Sequence, residues 1–143
     1  MNRRLRLAYT AVGIGILAFM SACAASDTPV VHLNGIPIAV EIADDEAERT
    51  HGLQDHEALH AGEGMLFVFE DVAPRTFAMK DVSFPIDVLF FDESLRVSAV
   101  EPLDPGDAHV VTSPGPSPYV LELPQGWAAE QGLGPGAALE VEE

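Results

Sequence analysis

A mainly β, α+β fold, a single small barrel or sandwich with one to three short helices, follows from three features of this 143-residue chain. Its apolar residues come in short runs, about the length of strands rather than of helices. Its 12 Gly and 11 Pro punctuate those runs closely, which favours turns over long helices. Residues 24–143 contain no second long apolar stretch. They suffice for one domain burying about two-thirds of its unfolded-chain surface.

The elements follow in order. Val30–Leu33 and the alternating Ile36, Ile38, Val40 and Ile42 flank Asn34-Gly35. Both turn residues tolerate positive φ, so the pair predicts a tight hairpin. Pro37 lacks a backbone donor and predicts that its strand lies at an edge there. Asp45 and Glu48 can form a capping box, and Gly52 can end the short helix between them. Asp55–Leu59 allows one further helical turn. Met65–Glu70 and Thr76–Met79 read as strands on either side of the Asp71–Arg75 turn. Ile86–Phe91 and Leu95–Val100 predict a hairpin across Asp92-Glu93-Ser94. Ala108–Thr112 and Tyr119–Leu123 are strands separated by Pro114-Gly115-Pro116-Ser117-Pro118, which cannot be helix. Trp127–Gln131 reads as a short helix after Gly126. Ala137–Val141 is a last strand after Gly134-Pro135-Gly136.

The N-terminus has a different character. Arg3, Arg4 and Arg6 precede an apolar run, Leu7–Phe19, too short to span a bilayer comfortably, and then Met20-Ser21-Ala22-Cys23. Residues 1–22 therefore read as an export signal. The ending resembles the lipobox of bacterial lipoproteins, which implies that Cys23 takes lipid and becomes the mature N-terminus. Residues 23–29 would then be attachment site and tether, and 30–143 the domain. Ala22-Cys23-Ala24 also fits an ordinary signal-peptidase site, which would release a soluble periplasmic protein. Cys23 is the chain's one cysteine, and thioether attachment removes an otherwise unpaired thiol. The expected location is the cell envelope, facing the periplasm, with the membrane as partner through the N-terminal lipid. Ala24, where an inner-membrane retention signal carries Asp, points to the outer membrane.

Charge narrows the function classes. All 23 acidic residues follow Cys23, against only Arg49, Arg75, Lys80 and Arg96, so the formal charge of the mature chain is −19, beyond the −16 of the whole. Such a surface repels nucleic acid, and no basic stripe offsets it. No nucleic-acid partner is expected. The acidic residues read as a solvated, solubilising face, with attraction to cations or a basic partner as the functional alternative.

No G-x-S-x-G elbow, P-loop or His-Glu-x-x-His motif occurs, and no catalytic residue is assigned. Asp87 and Glu122 stand out because each interrupts an apolar strand, where an unpaired carboxylate is costly to bury. Lys80 and Arg49 are the natural partners among so few cations. These four form either a structural ion-pair cluster or a cleft that meets a polar ligand. An envelope hydrolase using Asp87 and Glu122 is the catalytic alternative. His51, His56 and His60, with Met65 and Met79, raise a metal alternative. Their ligand set is incomplete, so neither a metal site nor a cofactor is assigned.

Five segments carry a family resemblance: Arg49-Thr50-His51-Gly52-Leu53, Glu63 to Phe69, Phe77-Ala78-Met79-Lys80-Asp81, Pro85 to Phe91, and Tyr119 to Gly126. In this order they resemble family 192 of the domains of unknown function over nearly all of residues 30–143. The resemblance implies a compact, β-rich, often exported domain with no established biochemical role. The chain departs from the family pattern at Gln54 (for Met), Ala78 (for an aromatic residue) and Asp81-Val82 (for Asn-Thr). Together these readings describe a lipid-anchored envelope domain acting as a non-catalytic binding or accessory module.

Overall fold

Asn34 and Gly35 take φ values of 49° and 78°, and β1 (Val30–Leu33) pairs antiparallel with β2 (Ile36–Ala43) across them. The computed structural model describes residues 27–141; the expected export signal, Cys23 and the first part of the expected tether lie outside the described residues. Pro37 faces His32, and pairing of β2 with β3 (Glu63–Val68) begins only at Ala39. Its missing N–H therefore breaks no ladder bond, although β2 as a whole is an inner strand.

Helix α1 (Glu46–His51) starts on the expected capping box, Asp45 accepting the Glu48 N–H at 2.8 Å while the Glu48 carboxylate reaches back. Gly52, at φ 52°, ends it. The helical turn expected over Asp55–Leu59 does not form. The chain makes a turn there, closed by the His56 N–H on the Leu53 carbonyl at 3.1 Å, and then extends. A new helix would need a second nucleation event for very few bonds.

The rest of the chain supplies β4 (Thr76–Ala78), β5 (Ile86–Phe91), β6 (Val97–Leu103), β7 (Val110–Thr112), β8 (Tyr119–Pro124), α2 (Trp127–Glu130) and β9 (Leu139–Val141). Strand ends shift by a few residues from the sequence reading. β6 starts later than Leu95 because Leu95 itself sits at φ 57° within the hairpin turn.

Seven strands form one sheet in the order β6-β5-β8-β3-β2-β1-β9, and β4 and β7 form a second, small sheet. Only β2 and β3 run parallel; residues 44–62, including α1, make the crossover between them. The large sheet curls until its edges touch. Arg96 bridges Ala138, Val97 N–H donates to the Ala137 carbonyl at 2.9 Å, and Leu139 N–H donates to that of Leu95 at 2.8 Å. The Arg96 guanidinium holds the Gly136 carbonyl at 3.0 Å across the same seam. Of the barrel and sandwich expected, the fold is the curled, barrel-like one.

Both faces of the sheet's central strands β3, β5 and β8 are covered. The inner face carries Val31, Leu33, Ile38, Val40, Leu66, Leu89, Phe91, Val97, Leu121, Leu123 and Leu139, drawn from all seven strands. The outer face carries Met65, Phe67, Ile86, Val88, Phe90, Leu103 and Val120, covered by the β4–β7 sheet and its flanking loops. Phe77 of β4 pins that cover down, edge-on to Phe67 at 4.9 Å and to Phe90 at 5.9 Å. Burial on both sides is why β5 is buried at all six positions and, Asp87 apart, reads as a continuous apolar run rather than an alternating one. A bulge at Phe90/Phe91 keeps Val97 facing inward.

Gly64 of β3 faces the inner core, beside Leu121 and Leu123 of β8. A Cβ there would lie 2.6 Å from the Glu122 carbonyl oxygen and 2.9 Å from the Leu123 side chain. The constraint is space between β3 and β8, not a turn conformation. Gly64→Ala is expected to destabilise the domain by about 1–3 kcal/mol, the usual cost of overpacking; urea unfolding would check this.

Candidate functional site

Register across three neighbouring strands decides which polar side chains meet. Glu122 on β8 faces Met65 on β3 and Val88 on β5, and all three point to the outer face. Asp87 faces Leu123, one position along, and points inward with Leu89 and Phe91. The two carboxylates thus lie on opposite sides of one sheet.

Their surroundings differ accordingly. Asp87, 7% exposed, accepts a hydrogen bond at 2.8 Å from the backbone N–H of Gly126. Gly126 is in the left-handed conformation at φ 84° and leads into α2, so Asp87 fixes the turn that brings α2 back onto the barrel. Glu122 is 6% exposed. Among the described residues no hydrogen bond or ion pair engages its carboxyl. Burial pushes its pKa up to about 8, so at neutral pH it is mostly a protonated acid.

Above Glu122 lies a cavity of about 500 Å³, within the range of small-molecule sites. Phe67, Phe69, Phe77 and Met79 give it apolar walls. Arg49, Arg75 and Lys80 give it three cations, and Thr50, Gln54 and Thr76 add neutral polar groups. The arginines are held from behind. Arg49 donates to the carbonyls of Asp44 and, at 2.9 Å, Val68. Arg75 donates to the Ser117 carbonyl at 3.0 Å and pairs with Asp71 at 2.8 Å, a contact that holds the Asp71 carboxyl below its ordinary range. Both guanidiniums stack on Phe69, Arg75 at 3.8 Å and Arg49 at 5.2 Å from the ring centre. Lys80 stands at the mouth, exposed, with no ion pair among the described residues.

Of the four residues singled out from sequence, the structure brings Arg49, Lys80 and Glu122 to one cavity and leaves Asp87 out of it. Of the two arrangements open from sequence, an ion-pair cluster or a cleft, no ion pair between these carboxylates and Lys80 or Arg49 occurs among the described residues: Asp87 takes a backbone donor and Arg49 takes backbone carbonyls. Arg75 and Phe69 belong to the site and were not singled out, whereas Gln54 was noted as a departure from the family pattern. Arg75 could have been suspected as one of only four Lys and Arg residues after Cys23. All five segments that carry the family resemblance contribute to the cavity wall, and so do the departures Gln54, Ala78 and Val82.

The histidines do not assemble. His51 pairs with Asp55 at 2.9 Å and His56 with Glu41 at 2.8 Å, while His60 is engaged through its backbone. Met65 and Met79 pack into the outer core. Among the described residues no group of three or more His, Cys, Asp or Glu side chains could hold a metal ion.

Two stability predictions follow from the two carboxyls. The folded-state pKa of Glu122 lies above its unfolded value of 4.5, so the native state binds the extra proton and stability falls as pH rises from about 4.5 to about 8. Gln cannot ionise. Glu122→Gln is therefore expected to melt close to the parent at pH 5 and to gain roughly 2–4 kcal/mol over it at pH 8. Asp87→Ala leaves the Gly126 N–H unpaired and is expected to cost about 1–3 kcal/mol, with Asp87→Asn, which can still accept, costing less. Denaturant titrations at fixed pH separate these.

Comparison with known proteins places this geometry among relatives. A crystal structure from Sinorhizobium meliloti 1021, of a protein proposed to be a transcription regulator, is similar at 31% identity and a TM-score of 0.74, over 79% of this chain and 92% of that one. A protein of unknown function from Novosphingobium aromaticivorans DSM 12444 is similar at 30% identity and a TM-score of 0.74, over 78% and 83%. No curated protein matches. The model of family 192 of the domains of unknown function, described as an uncharacterized ACR, matches residues 30–141. The chain belongs to that family.

Proposed function

We propose that this domain is a small-molecule binding module held in the cell envelope through Cys23, and that the cavity above Glu122 is its site. One observation carries the reading: a carboxyl 6% exposed, with no hydrogen bond or ion pair among the described residues, lines a cavity that also gathers three of the four Lys and Arg residues after Cys23. The Glu122 carboxyl oxygens are open to that cavity rather than sealed in the core, and water or a bound molecule there can satisfy them.

The hydrolase alternative has less support. A two-carboxylate mechanism needs both groups to flank one bond, whereas Asp87 and Glu122 face opposite sides of the sheet. The description of the Sinorhizobium neighbour as a proposed transcription regulator has no support from the charge of this chain. With a mature charge of −19 and three cations around a single cavity, no basic surface is left to track a phosphate backbone.

Two measurements test the proposal. Cys23→Ala is expected to move the protein from the membrane fraction to the soluble one and to remove a lipid-sized mass from its N-terminal peptide; an unchanged distribution would refute the anchor. Protein purified from membranes of its own host should release a small molecule on denaturation. Gln54→Trp, which fills the cavity mouth, should release less than one-fifth as much. Equal yields from both would refute the site.

A further inference from the structure

Accepting the binding reading, the walls of the cavity restrict what it can hold. Phe67, Phe69 and Phe77 offer an apolar, aromatic bed. Around it stand Arg49, Arg75 and Lys80, with Glu46 the one other acid at the rim, exposed to solvent. Three of the four Lys and Arg residues after Cys23 stand around one opening; Asp71 offsets Arg75 and Glu46 one more, so Arg49 and Lys80 leave a small net positive charge in a negative surround. The arginines are also preorganised. Phe69 and the carbonyls of Val68 and Ser117 fix their planes, yet neither guanidinium has all its donors engaged among the described residues.

We infer that the cavity takes a small, singly charged anion with an apolar body, an aryl or short alkyl carboxylate being the simplest case. The carboxylate lies against Lys80 and the unengaged arginine N–H groups, and the body lies over Phe67 and Phe77. Glu122 acts as a specificity-determining residue. As a neutral acid flanked by Met65 and Val88 it tolerates an anion and can donate one hydrogen bond to it; as a carboxylate it repels one. The charged groups that line the cavity with it are Glu46, Arg49, Arg75 and Lys80. Since burial lifts its pKa to about 8, affinity for an anion should fall once pH passes that value.

Met65 and Met79 report on the site, one beside Glu122 and one in the wall. The full chain, labelled with 13C at methionine methyls, would be titrated with 3-phenylpropionate, its neutral amide and the matching amine, 3-phenylpropylamine. Saturable shifts of the Met65 and Met79 methyls are expected with the carboxylate, with the amide and amine binding at least tenfold more weakly. Lys80→Gln should weaken carboxylate binding about fivefold while leaving the unliganded methyl positions in place. Raising pH from 6.5 to 9 should weaken it about tenfold in the parent and much less in Glu122→Gln. Equal or tighter binding of amide or amine at these methyls overturns the anionic class and leaves the binding site standing. No methyl response to any of the three at 10 mM overturns the class as well, whereas failure to release any native ligand bears on the site itself.

Discussion

The side chains in the middle of β3, β5 and β8 must each fit one of two cores, because these central strands are covered on both faces. That constraint sorts the whole molecule. Period-two alternation sends Leu66, Leu89, Leu121 and Leu123 inward and Met65, Phe67, Val88 and Val120 outward. It also separates Asp87 from Glu122 by one register position and hence by the thickness of the sheet. Each carboxylate then meets whatever its face provides. The inner face ends in the turn at Gly126, which offers a backbone donor. The outer face offers only Met65 and Val88 on the neighbouring strands, and a cavity.

The same sorting governs the cations. Arg96 fastens the seam where the curled sheet meets itself, through the Gly136 carbonyl. Arg49 and Arg75 are built into the cover of the outer face, each using carbonyls and the Phe69 ring as anchors rather than forming ion pairs with the buried acids. Exposed ion pairs are worth little, and buried ones must overcome a large desolvation cost. A guanidinium fixed by carbonyls and an aromatic face keeps its charge available while losing little further freedom. That arrangement suits recognition better than it suits stability.

Much of the fold was legible in the sequence because its signals were local. Asn34-Gly35 specified its turn and Asp45 with Glu48 its cap. Pro and Gly delimited most strands. What escaped was non-local. The parallel pairing of β2 with β3 depends on a crossover that no turn residue announces. Closure of the sheet rests on the contact between residues 96 and 138, far apart in the chain. Asp55–Leu59 carried helix-compatible residues but had too little length to propagate. The site was half legible for the same reason. Glu122 could be flagged because a carboxylate amid leucines is costly anywhere in a core. Its separation from Asp87, and its approach to Arg49, Arg75 and Lys80, required knowing that β8 lies between β3 and β5 under the β4–β7 cover.

Glu122 is where local and global preferences conflict. Natural sequences agree across levels nearly everywhere, and the exceptions concentrate at functional sites. A Leu or Met at position 122 would extend the outer core toward Met65 and Val88 and would remove a group whose ionisation opposes folding. Asp87 shows that this chain can satisfy a buried carboxylate with one well-placed amide. Three cations line the same cavity as Glu122, yet none pairs with it among the described residues. A purely structural account explains Asp87, the Arg96 seam and the stacked arginines, but it gives no reason for an acid left without a partner beside them. A ligand that brings its own hydrogen-bonding group to Glu122 supplies the reason. On the binding reading proposed above, the stability lost to an unpartnered acid is the condition for a selective site.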